Sequence, residues 1–149
     1  MSRLVRLVGS LAAVATLCSC EATSAVDPLT GGTHLPVTLE TSFSTPSGAA
    51  PHLQFSGGKG VVEVVWDVES PPCLLAEASA LQAGPVIEIR LHRSGNPLAL
   101  CIEGNVAYHY VARTQAIVPG RYDVRLVDES LGQKPRSVGR SVVLVPSIP

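Results

Sequence analysis

Cysteine and histidine are the side chains best suited to nucleophilic, redox and metal chemistry near neutral pH. The chain has four of each in 149 residues: Cys18, Cys20, Cys73 and Cys101, with His34, His52, His92 and His109. No two histidines stand in HxH, HxxxH or HExxH spacing, so no helical metal-binding motif is present. Strand alternation puts His92 and His109 on outward faces of two strands that could be neighbours. A surface metal-binding or hydrolytic site using both, with nearby carboxylates, is the alternative reading of the chain; two solvated imidazoles are the plainer one. Glu63, Asp67, Glu69, Glu77 and Glu88 fall at outward strand positions. A glycosidase pair needs two carboxylates converging on a cleft, and scattered acids read as a solvated face. The stretch "SGGKG" at residues 56–60 lacks the full GxxxxGK[ST] pattern and precedes a strand, so it reads as a hairpin loop. No GxSxG occurs. These residues assign no catalytic group, no cofactor and no metal.

The start of the chain is more specific. Arg3 and Arg6 form a short basic region, and residues 7–17 are an uncharged apolar run. That run is shorter than the roughly 20 residues a helix needs to cross a bilayer. A basic start, a short apolar run and small residues after it read as a secretory signal. At its end, Leu17-Cys18-Ser19-Cys20 resembles the lipobox of bacterial lipoproteins: an aliphatic residue, a tolerant position, a small residue, then cysteine. Cys18 is an uncommon occupant of the tolerant position. The resemblance implies a diacylglycerol on the Cys20 thiol, cleavage before Cys20 and acylation of the new amine. Residues 1–19 would then be a signal peptide, and Cys18 would leave with it. The expected address is the bacterial cell envelope, lipid-anchored, each buried methylene contributing about 0.8 kcal/mol. Glu21 stands where an Asp would resemble an inner-membrane retention signal, which leans toward the outer membrane in a two-membraned cell.

Processing would leave Cys73 and Cys101, 28 positions apart. In an oxidising compartment a lone pair of cysteines usually joins. Closing a loop of that size gives about 3–4 kcal/mol in the chain-entropy account. The other reading, a reactive or metal-binding thiol pair, lacks CxxC spacing. Without Arg3 and Arg6, the balance shifts to about nine basic against twelve acidic residues. A mildly acidic chain with no basic patch argues against nucleic acid as the partner.

These groups need elements to hold them. Residues 20–36, the lipidated cysteine and the stretch "EATSAVDPLTGGTHLP", show no apolar period and read as a flexible tether with a reach of ~20–24 Å. Residues 37–149 read as one domain. Short β-rich runs follow one another, divided by Gly, Pro, Asn and Ser. The clearest, at residues 60–70, puts Val62, Val64, Trp66 and Val68 on one face; Pro71-Pro72 ends it. Residues 73–84 favour helix by propensity, but alternate as a strand between two clear strands. Ile87, Ile89 and Leu91 alternate with Glu88, Arg90 and His92. A short strand is expected at residues 98–104, and others at 105–113, 121–129 and 137–146. Seven or eight such strands and no strand–helix alternation predict an all-β fold, an antiparallel two-sheet sandwich.

Val118, Pro119, Gly120, Tyr122, Val124 and Leu126 resemble the "L-x-P-G-x-Y-x-V-x-V" approach to a late strand of immunoglobulin-like and fibronectin-III domains. The resemblance implies a buried Tyr122 ring with its hydroxyl on nearby backbone. Trp66 precedes Cys73, so the Cys…Trp…Cys order of antibody domains is absent. Read from Gly60 to Val127, the chain is similar to bacterial exported lipoproteins with small disulfide-bonded β-sandwich domains. That implies a fold and an address but no site residues. The expected function is a non-catalytic binding or structural module, not an enzyme. Its partners would be the membrane, through Cys20, and an envelope protein or polysaccharide met by loops at residues 44–52, 93–97 or 130–136.

Overall fold

The computed structural model describes residues 29–96, 101, 103–115, 117–130 and 132–147. Cys20 and the expected signal peptide lie outside the described residues. Nine strands are present among the described residues, and no helix: β1 (Thr33–Leu35), β2 (Val37–Ser44), β3 (His52–Gly58), β4 (Val61–Ser70), β5 (Leu74–Ala83), β6 (Val86–Gly95), β7 (Val106–Thr114), β8 (Gly120–Ser130) and β9 (Arg136–Val145). One sheet has the order β1-β5-β6-β8-β9 and the other β2-β7-β4-β3. The expected all-β sandwich is formed, with nine strands in place of seven or eight.

The core follows the alternation. Val62, Val64 and Trp66 of β4 and Tyr108 and Tyr110 of β7 bury against Ile87, Ile89 and Leu91 of β6 and Val124 and Leu126 of β8. The helix-prone stretch forms β5 instead, because it pairs with β6 from Leu74 opposite Gly95 to Ala83 opposite Val86. Two sheets held by long-range pairing override local propensity there.

The pairing departs from a wholly antiparallel sandwich at one place. β6 and β8 run parallel, Val86 opposite Asp123 through Arg93 opposite Ser130. Between them the chain crosses to the other sheet as β7 and returns in its starting direction, which is the kind of long connection a parallel pair requires.

Two other expectations change. A tether does not extend to Pro36: Thr33–Leu35 forms β1 on β5, and Val37 opens β2 on β7. Pro36, which has no N–H to give a ladder, marks the switch from one sheet to the other. In the expected strand at 98–104, Cys101, Glu103 and Gly104 are loop, and the others lie outside the described residues.

One side of the sandwich closes by close backbone approach. A Cβ on Gly57 of β3 would stand 2.0 Å from the Leu144 carbonyl oxygen of β9. A Cβ on Gly139 of β9 would stand 2.3 Å from a Leu53 methyl. At Gly57, where the obstacle is main chain, only glycine lets these edge strands meet. Tyr122 is buried, and its hydroxyl donates to the Val118 carbonyl at 2.7 Å.

Candidate functional site

The registers place the three expected loops at one end of the sandwich. Ser44 stands opposite Ala107 and Ser70 opposite Val106 in one sheet. Leu74 stands opposite Gly95, Arg93 opposite Ser130 and Asp128 opposite Arg136 in the other. Both the β4–β5 and β6–β7 connections cross between sheets at this end. Cys73 lies in the first and Cys101 in the second, and they form a disulfide with Cα atoms 5.7 Å apart. The bridge therefore ties the two crossings, not two strands of one sheet. Cys73 has a φ of 62°, a left-handed conformation that costs a residue with a Cβ about 1–2 kcal/mol. Its neighbours hold it there. The Asn96 N–H donates to the Cys73 carbonyl at 2.9 Å, and the Leu74 N–H donates to the Tyr108 hydroxyl at 3.1 Å.

Near this end β6 and β8 each carry a charge on their inward face. Arg93 continues the register of Ile87, Ile89 and Leu91; Asp128 continues that of Tyr122, Val124 and Leu126. They are 8% and 4% exposed. Arg93 Nε and Nη2 donate to the two Asp128 oxygens at 2.8 and 2.6 Å. Nη1 donates to Ser70 Oγ at 2.8 Å and Nη2 to Ser130 Oγ at 3.2 Å. The guanidinium carbon lies 5.1 Å from the centre of the Trp66 ring, a cation–π distance. Burial works to lower the Arg93 pKa; the hydrogen bonds and charge of Asp128 overcome it, so the pKa sits above its ordinary value. Burial likewise pushes Tyr110, stacked on Tyr108 and tilted against Trp66, up to about 12, so its hydroxyl stays neutral.

Above this pair is a cavity of about 330 Å³, lined by Ser70, Leu74, Arg93, Asp128, Gln133 and Arg136 among others. That is at the small end of ligand-pocket volumes. Arg136 is 54% exposed and donates once to Asp128, at 3.2 Å. On the far side of the β4–β5 connection lies an apolar groove of about 350 Å³ between Thr41, Phe43, Pro72, Val106 and Tyr108. Phe43 is 73% exposed at its rim.

The histidines are not brought together at this end. His92 is on β6 and His109 on β7, in different sheets, and both face outward. His92 Nδ1 lies 2.8 Å from Glu129. His109 Nδ1 lies 2.5 Å from Asp67, which His52 approaches from its other side at 3.4 Å. His34 lies on β1. Among the described residues no three His, Cys, Asp or Glu side chains stand ready to hold a metal ion. "SGGKG" ends β3 and turns into β4, as a hairpin loop. Glu88 corrects the reading of a solvated acid face: it is 0% exposed. Leu29 lies over it, its N–H donating to Glu88 Oε1 at 3.3 Å, while Arg90 and Arg125 contact the same carboxylate at 2.5 and 2.9 Å.

Sequence reasoning missed Arg93, Asp128 and Arg136. The signal was there: two opposite charges continue the inward register of two apolar strands, and neither is buried without a partner. No helix among the described residues is long and apolar enough to cross a membrane. Compared with known proteins, the chain matches no family model, no curated protein and no solved structure.

Proposed function

We propose that the chain is a lipoprotein of the bacterial envelope, held to a membrane through Cys20, whose sandwich is a non-catalytic binding or structural module. The lipobox-like Leu17-Cys18-Ser19-Cys20 motivates the anchor. The observation that carries the module is where the chain joins the fold. Thr33 pairs with Gln82, beside the β5–β6 turn, and Leu29 is pinned to Glu88 and Arg90 on the outer face of the same sheet. The loops, the disulfide and both cavities lie toward the other end. From Arg90 to Gly95 along β6 that is about 17 Å. An anchor at Cys20 would join the fold through the outer face of this sheet, at Leu29, and leave the loop end free.

The sandwich itself we read as immunoglobulin- or fibronectin-III-like. Tyr122 supports this: its hydroxyl reaches back four residues to the Val118 carbonyl, the arrangement of a tyrosine corner. The disulfide between crossings differs from the inter-sheet bridge of antibody domains.

Cell fractionation tests the anchor. Cys20→Ser is expected to move the protein from the membrane fraction to the soluble fraction at unchanged thermal stability. Membrane association equal to that of the unaltered chain overturns the anchoring.

A further inference from the structure

We infer that the cavity above Arg93 and Asp128 is a binding site for a monoanionic carboxylate carried on a hydroxylated frame, the chemistry of an acidic sugar. This deepens the reading of the sandwich as a binding module and rests on it.

Charge selects the ligand's sign and size of charge. The lining holds two guanidinium groups, Arg93 and Arg136, against one carboxylate, Asp128. Glu129, next in the chain, turns to the outer face and meets His92 and Arg90. The cavity is therefore locally cationic by one charge on a chain whose formal net charge is −1. A monoanion matches it. A phosphate monoester, about −1.5 to −2 near neutral pH, would leave charge uncompensated against Asp128.

The hydrogen-bond inventory assigns the roles. Arg93 spends its fork on Asp128, Ser70 and Ser130, so it is the floor of the site. Arg136 is half exposed and makes one long contact to Asp128, so turning its fork to a ligand carboxylate costs little desolvation. Beside it stands the Gln133 amide, which both donates and accepts and so suits hydroxyls, which also do both. The Ser130 hydroxyl already accepts from Arg93 and donates to Asp128 at 3.3 Å, and keeps one lone pair for a ligand donor. Pro71 and Leu74 supply a small apolar wall for the carbon face of a ring. At about 330 Å³ the cavity has the volume of roughly ten waters, room for one sugar-sized unit.

Trp66 is the sole tryptophan and lies under Arg93, so its fluorescence reports on the floor of the site. The test titrates the full-length lipidated chain in detergent with sodium glucuronate, and in parallel with glucose, acetyl-dialanine and inorganic phosphate. Glucuronate is expected to change Trp66 emission saturably in the millimolar range, with no response to glucose. Arg136→Ala is expected to weaken the response about tenfold or more. Arg136→Lys, which keeps the charge and loses the fork, should fall between. It also serves as the second variant if the alanine form does not fold. A response unaltered by either variant, or none to glucuronate, overturns the site. Acetyl-dialanine binding as tightly as glucuronate overturns the sugar frame in favour of a peptide terminus, and tighter phosphate binding overturns the charge argument. None of these failures touches the membrane fractionation of Cys20→Ser, so the anchored-module reading stands or falls separately.

Discussion

Arg93 and Asp128 are more costly to separate than to have. Each has left water almost wholly, and each satisfies the other through two hydrogen bonds while Ser70 and Ser130 take remaining donors. Pairing offsets the desolvation that both suffer. Removing one partner leaves the other as an uncompensated buried charge, at a cost of about 3–5 kcal/mol. Asp128→Ala is therefore expected to lower the unfolding free energy by about that amount, measured by urea denaturation. The loss should exceed that of Asp123→Ala, whose partner Arg140 is 70% exposed and whose ion pair is screened by water. Equal losses at the two sites would show that burial confers nothing special on the Arg93 pair.

At the scale of the strand, one edge contact is built from missing side chains. β3 and β9 belong to different sheets, yet Gly57 lies against the Leu144 backbone and Gly139 against Leu53. The obstacle at Gly57 is main chain, which cannot turn aside as a side chain can. Gly57→Ala should force β3 and β9 apart and destabilise by about 1–3 kcal/mol, as overpacking does. Gly95, with nothing within 4 Å of a would-be Cβ, is the control: Gly95→Ala should change the midpoint of thermal unfolding little. The same strands show what alternation can and cannot reveal. β4, β6 and β8 were legible because Val62-Val64-Trp66, Ile87-Ile89-Leu91 and Tyr122-Val124-Leu126 repeat at the period of a strand. β1 was not, since Thr33-His34-Leu35 is too short and polar to show a period, and its ladder on β5 is a long-range event. Glu88 alternates outward, but Arg90, Arg125 and the backbone at Leu29 cover it. Arg93 and Asp128 were not legible, because a charge two residues from a strand's end reads as solvated unless the inward register is followed that far.

Over the whole molecule, the two ends of the sandwich are held by different means. At the end of the β5–β6 turn, tight turns and the Tyr122 hydrogen bond hold the structure, and the Leu29 clasp on Glu88 lies between that turn and the middle of β6. At the loop end, long connections cross between sheets, and the Cys73–Cys101 bridge ties two of them together. Because the crossings are joined to each other, the bridge limits how far β5 and β7 can part. A chain of this size, with 4% aromatic residues, gains much from such a constraint. Replacing both cysteines, Cys73→Ser with Cys101→Ser, is expected to lower stability by about 3–4 kcal/mol. The loss should also be local. Amide hydrogen exchange should quicken most at Leu74, whose N–H is held by Tyr108, and at Asn96, whose N–H is held by Cys73. Amides near Gly120 and Val145 at the far end should change least, because their pairing is independent of the bridge. Uniform quickening would instead mean that the sandwich opens as one unit, and thiol labelling of the unreduced folded protein at Cys73 would remove the bridge from the account altogether. The local outcome has a functional corollary. Pro71 and Leu74 wall the cavity over Arg93, and Pro72 and Leu74 wall the apolar groove, so the connection that Cys73 fixes is the partition between them. Loosening it should blur both cavities while leaving the end at Gly120 and Val145 intact.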